Sequence, residues 1–105
     1  MDIQDINKQK EIVDFVKAYS KLVAQYKKPS RGGMIDALKE AMKVAQSEIR
    51  NVEISRGETM PTPWEQISDS VLYAKLSEYQ QAMYQHAVNK FGEEEIEKWL
   101  KQNMQ

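Results

Sequence analysis

The chain is predicted to be all-α, an antiparallel helical bundle of three long helices plus a short C-terminal helix, within one domain spanning residues 1–105. Two observations carry this. Apolar residues recur at spacings of three and four along most of the chain, and no segment alternates apolar and polar residues over a useful length of strand. Proline and glycine fall in only three places, at 27–33, 56–63 and Gly92. Proline lacks an N–H and glycine is too free, so these segments separate helices rather than extend them.

The first helix is predicted over about 5–27. Ile12, Val16, Tyr19, Val23 and Tyr26 are spaced 4, 3, 4, 3 and fall in one stripe. Asp2 or Asp5 can accept a bond from a free first-turn N–H, and Pro29 stops the helix because the residue before proline avoids the helical region. The second helix, over about 34–54, carries Ile35, Leu38, Met42, Ala45, Ile49 and Val52 in the same rhythm. Ser30 or a following glycine begins it, and Gly57 accepts the left-handed conformation that closes it. The heptad-like spacing of both suggests that they pair in coiled-coil fashion.

The third helix, 63–90, has the clearest start: Thr62-Pro63-Trp64-Glu65 reads as a capping box with proline at the first helical position. Its main stripe is Leu72, Leu76, Tyr79, Met83 and Ala87, and Gly92 ends or kinks it. Glu93, Glu94 and Glu95 then sit where a helix N-terminus favours negative charge. They open a fourth helix over 93–102 with Ile96, Trp99 and Leu100 on one face.

A length of 105 residues matches one domain with a thin core. An apolar content of 41% beside 30% charged residues excludes a disordered tail. The absence of cysteine excludes disulfides, thiolate metal sites and cysteine nucleophiles, and fits a cytoplasmic protein. No stretch approaches the length of a membrane span, and the acidic start lacks the basic, then apolar, pattern of a signal peptide. Charge is divided unevenly. Residues 1–50 hold ten basic and seven acidic side chains, and residues 51–105 hold five and nine. That division predicts charge-complementary packing, within the molecule or between copies.

Several chemistries lack their residues. Arg31-Gly32-Gly33 has neither the strand before it nor the Lys-Ser/Thr after it that a phosphate loop needs. The one histidine, His86, has Ala82 and Lys90 four residues either side, so a helical metal pair is missing and no cofactor is expected. His86 is expected to be half-buried against a tyrosine hydroxyl or a backbone carbonyl. The carboxylate pairs Asp36/Glu40 and Glu65/Asp69 are expected to be solvated, with Lys39 and Lys43 neutralising the first.

Two surfaces remain as candidates. Lys10, Lys17, Lys21 and Lys28 form one line on the first helix, about 160° from its apolar stripe on ideal geometry. Lys39, Lys43 and Arg50 form another line on the second helix, and Arg31 joins them from the loop. Together they make a basic face suited to phosphate backbone, although no aromatic residues interleave with it. The second surface is apolar. Beyond its main stripe the third helix carries Tyr73, Tyr84, Val88 and Phe91 on another side, a candidate interface with a second copy or a different protein. The function expected is therefore non-enzymatic: a small regulator, adaptor or assembly factor acting through protein–protein contact. Nucleic-acid binding through the basic face is the alternative.

Overall fold

A computed structural model describes residues 3–55, 57 and 63–103. It is all-helical, with five α-helices packed against one another and no strand among the described residues. No helix among them is long and apolar enough to cross a membrane.

Helix α1 (Ile3–Lys27) stops before Pro29, and α2 (Arg31–Val44) starts at once. Ser30 caps α2, its Oγ accepting from the Gly33 N–H at 3.2 Å. From α1, the Gln25 Oε1 accepts the Ser30 N–H at 3.0 Å, so the tight turn is held from both sides. A Cβ at Gly33 would lie 2.5 Å from Gln25 Nε2 and 2.7 Å from Ser30 Oγ, so any larger residue there must displace the side chains that hold the turn.

The single helix expected over 34–54 is two helices. Ala45 (φ −129°, ψ 48°) leaves the helical region, and α3 (Gln46–Ser55) follows as a separate helix. The break keeps Ala45 and Ile49 in the core while α3 turns onto α4. Two carboxylates of α3 then grip α4. Glu48 Oε2 lies 3.0 Å from His86 Nδ1, and Glu53 accepts the Tyr79 hydroxyl. Gly57 takes the expected left-handed conformation, φ +82°, and its N–H bonds back to Ile54 O at 2.9 Å.

The helix expected from 63 begins later. Thr62, the head of the proposed capping box, lies outside the described residues. Pro63 precedes a 3₁₀ turn over Trp64–Gln66, Ile67 is extended, and α4 (Asp69–Phe91) starts after Ser68. The Arg31 guanidinium explains the interruption. It donates to the carbonyls of Trp64 at 3.3 Å, Glu65 at 2.8 Å and Ile67 at 2.6 Å. In a continuous helix those oxygens would accept from N–H groups four residues on. Gly92 (φ +92°) then separates α4 from α5 (Glu93–Asn103).

The α4 stripe of Leu72, Leu76, Tyr79, Met83 and Ala87 is wholly buried. On α1 the centre of burial is displaced. Ile12 and Val16 are in the core, but Tyr19, Val23 and Tyr26 are only partly covered, while Phe15, Ala18 and Leu22 are wholly buried. Helix α1 packs on α2, α4 and α5 together, so its buried arc is wider than one stripe. The core is extended by Ile96, with Trp99 and Leu100 packed at its margin.

Four ion pairs among the described residues cross between the halves of the chain, two with the base in the first half and two with the acid there. Arg31 with Asp69, Lys39 with Glu65, Glu48 with His86 and Glu11 with Lys90 each join the first half of the chain to the second.

Candidate interaction grooves

Helix α5 has 11 residues and α4 has 23, about 17 Å against about 35 Å of axis. A helix half as long covers only part of its neighbour. The uncovered seam between α1, α4 and α5 is a groove of about 590 Å³. Ser77, Gln80, Gln81 and Tyr84 of α4 line it, and their spacing of three, one and three sets them on one helical face. Tyr19 enters from α1, and Glu97 and Leu100 enter from α5.

The groove's tyrosines are held in place. The rings of Tyr19 and Tyr84 lie 6.4 Å apart, tilted by 42°, and Phe15 stacks on Tyr19 at 5.4 Å. Gln80 Nε2 donates to the Tyr19 hydroxyl at 3.2 Å. The Tyr84 hydroxyl donates to Glu97 Oε1 at 2.6 Å. That bond, then burial and the charges of Glu97 and Glu93, push the Tyr84 hydroxyl up to about 12.

A second groove, of about 410 Å³, lies between α1, α2 and α4. Its floor is Phe15, Val44 and Phe91, and its rim is ionisable: Glu11, Asp14, Glu40, Lys43, His86 and Lys90. Lys90 closes part of it, bonded to Glu11 at 3.0 Å and lying 5.9 Å from the Phe91 ring centroid. His86 is half-buried as expected, but its partner is the Glu48 carboxylate rather than a tyrosine or a carbonyl. Burial pushes the Glu48 carboxyl up. The hydrogen bond from His86, its own backbone N–H and the charges of His86 and Lys90 outweigh that and hold it below its ordinary value. A carboxylate-held imidazole suits proton transfer, yet no serine or threonine hydroxyl lines this groove to be activated by it. Among the described residues no group of three or more His, Asp or Glu is placed to hold a metal ion.

The four apolar candidates on α4 lie at different points along the helix. Tyr84 lines the first groove and Phe91 the second, while Val88 is half-buried. Tyr73 is 40% exposed and packs edge-on to Tyr26 at 5.1 Å. Burial pushes the Tyr26 hydroxyl up, and Ser77 approaches that hydroxyl without completing a hydrogen bond.

The basic candidates also divide. Lys10, Lys17, Lys21, Lys28 and Arg50 are exposed and make no ion pair among the described residues. Arg31 is engaged in its clasp, Lys39 reaches Glu65 at 3.8 Å rather than Asp36 or Glu40, and Lys43 lines the second groove. Of the carboxylates expected to be solvated, Glu65 and Asp69 are thus ion-paired at the surface.

The sequence reading missed Tyr19, Gln80, Gln81 and Glu97 as groove residues. The uncharged run Ser77, Gln80, Gln81, Tyr84 on one face of α4 was the available signal. No known family model, curated protein or solved structure matches this chain.

Proposed function

We propose that the protein is a non-enzymatic interaction module whose working surface is the groove between α1, α4 and α5. The observation that carries this reading is the groove's composition: two oriented tyrosines facing each other from α1 and α4, Gln80, Gln81 and Gln85 along α4, and Leu100 at the α5 edge. Tyrosine supplies wide contact area at low entropic cost, and neutral amides adapt their hydrogen bonds to a partner. The second groove supports the reading less well, because its ion pairs already satisfy part of its rim. The occupant is another protein or a second copy of this chain, with no cofactor invoked.

The test is affinity isolation with the wild-type chain and with Gln81→Arg, which places a bulky cation in the groove while leaving the core untouched. A partner, or a second copy, recovered in fixed ratio by the wild type and lost with the folded variant supports the reading. Equal recovery by both removes it.

Nucleic-acid binding is the second reading, favoured by the exposed lysines of α1 alone. Its signature is affinity that falls steeply with salt and is abolished by reversing Lys17 and Lys21 to glutamate.

A further inference from the structure

We propose that the corner formed by Tyr19, Tyr84 and Glu97 is a receptor for a lysine or arginine side chain presented by a segment of a partner protein. This rests on the reading of the groove as a docking surface and adds the chemistry of what docks.

Glu97 is the one charged side chain among the described residues that line the groove. Its carboxylate accepts from the Tyr84 hydroxyl and has no cationic partner among the described residues. Glu93 adds a second negative charge that reaches Tyr84. A cation entering here meets an unneutralised carboxylate and no competing lysine or arginine on the lining.

The rings complete the site. A cation is attracted by an aromatic face within about 6 Å of its centroid. The Tyr19 and Tyr84 centroids are 6.4 Å apart, so one cation set beside the pair, on its groove side, can lie within that range of both. The molecule pairs cations with rings elsewhere: Lys75 with Trp64 and Lys90 with Phe91, each at 5.9 Å. Tyr19 and Tyr84 line the open groove instead, Tyr19 with Phe15 stacked on it. Both hydroxyls are already tied, one by Gln80 and the other by Glu97, so the rings need little ordering when a ligand arrives. Gln81 adds a neutral donor and acceptor for the backbone that carries the cation.

The probe is a set of three N-acetyl, C-amide pentapeptides of sequence Leu-Ala-X-Ala-Leu, with X arginine, glutamine or glutamate. Each is titrated into the full chain while the ring resonances of Tyr19 and Tyr84 are followed by NMR. The arginine peptide is expected to shift both rings at millimolar concentration, at least tenfold more tightly than the other two. Glu97→Gln should weaken it about tenfold and leave the glutamine peptide unchanged. Equal binding of all three peptides overturns the proposal, as does arginine binding that survives Glu97→Gln or no ring shift with the arginine peptide. Salt-sensitive self-association lost in both Glu97→Gln and Lys17→Glu would assign the cation to a second copy and overturn the foreign segment. The docking reading is judged separately, by the loss of partner recovery in Gln81→Arg. A partner excluded by Gln81→Arg yet indifferent to Glu97→Gln would leave docking standing and remove the cation receptor.

Discussion

The guanidinium of Arg31 meets the carboxylate of Asp69 at 2.5 Å and so ties the first turn of α2 to the first turn of α4. The same guanidinium holds three carbonyls of the segment between α3 and α4. One side chain thus fixes the path by which the chain enters α4. Charge-assisted hydrogen bonds are worth about 1.5–3 kcal/mol each when well shielded, and much less near water. With its side chain 39% exposed, Arg31→Ala is expected to cost about 2 kcal/mol in urea unfolding. Arg31→Lys should recover less than half of that, because an ammonium cannot spread across four acceptors.

The attachment of α3 to α4 leads to a second prediction. Tyr79 is wholly buried, and its hydroxyl bonds Glu53. Tyr79→Phe keeps the ring that packs edge-on to Trp64 at 6.0 Å but leaves the carboxylate without this donor. A loss of about 1–2 kcal/mol is expected. Amide exchange should accelerate in α3 before it does in α1 or α2. Uniform acceleration across all helices would show that the bond does not hold α3 specifically.

The two glycines at the start of α2 should respond differently to alanine. A Cβ at Gly32 meets nothing within 4 Å, so Gly32→Ala is expected to stabilise by about 0.5 kcal/mol through helix propensity. Gly33→Ala must displace the Gln25 amide and weaken its bond to the Ser30 N–H, so it should be neutral or destabilising. Paired thermal melts decide this.

These predictions mark where the fold was legible in the sequence and where it was not. The α4 stripe was readable because Leu72, Leu76, Tyr79, Met83 and Ala87 all point into one core. Gly57, Gly92 and Ser30 were readable because their roles depend on local backbone geometry. The break at Ala45 was not, since Val44-Ala45-Gln46 contains no proline or glycine. The break coincides with tertiary contacts, the burial of Ile49 and the reach of Glu48 and Glu53 to α4, which lie outside any local pattern. A continuous helix from Pro63 is interrupted in the same way, at carbonyls held by an arginine more than 30 residues upstream. On α1, Ile12, Phe15, Tyr19, Leu22 and Tyr26 form a stripe as regular as Ile12, Val16, Tyr19, Val23 and Tyr26, and spacing alone does not rank the two. The groove is likewise a tertiary feature. It depends on α5 being too short to cover α4, a relation between helices that no single-helix pattern contains.

Acid stability should report the Glu48–His86 bond. The Glu48 carboxyl is held below its ordinary value of 4.5, so the folded state releases that proton more readily than the unfolded chain. Its contribution is therefore present above pH 4.5 and is lost as pH falls through the lower folded value. The wild type should lose stability more steeply than His86→Ala as pH falls below 4.5, when urea midpoints are compared across that range. Parallel curves would show that the imidazole does not hold the carboxyl down.

Alkaline titration reads the groove itself. With its hydroxyl at about 12, Tyr84 should ionise well after an ordinary tyrosine at 10.0. Because the raised value belongs to the folded state, stability should decline as pH rises above 10.0. Glu97→Gln should bring the late phase of the ultraviolet titration back toward 10.0. A late phase unchanged by that substitution would place its cause elsewhere.

The most direct test of the central claim is chemical-shift mapping of the labelled chain against the partner it isolates with. Docking in the α1–α4–α5 groove predicts shifts concentrated at Tyr19, Gln80, Gln81, Tyr84 and Leu100, and their loss in Gln81→Arg. Shifts concentrated on the lysine line of α1 or around Phe91 and Lys43, with the groove unperturbed, would contradict it.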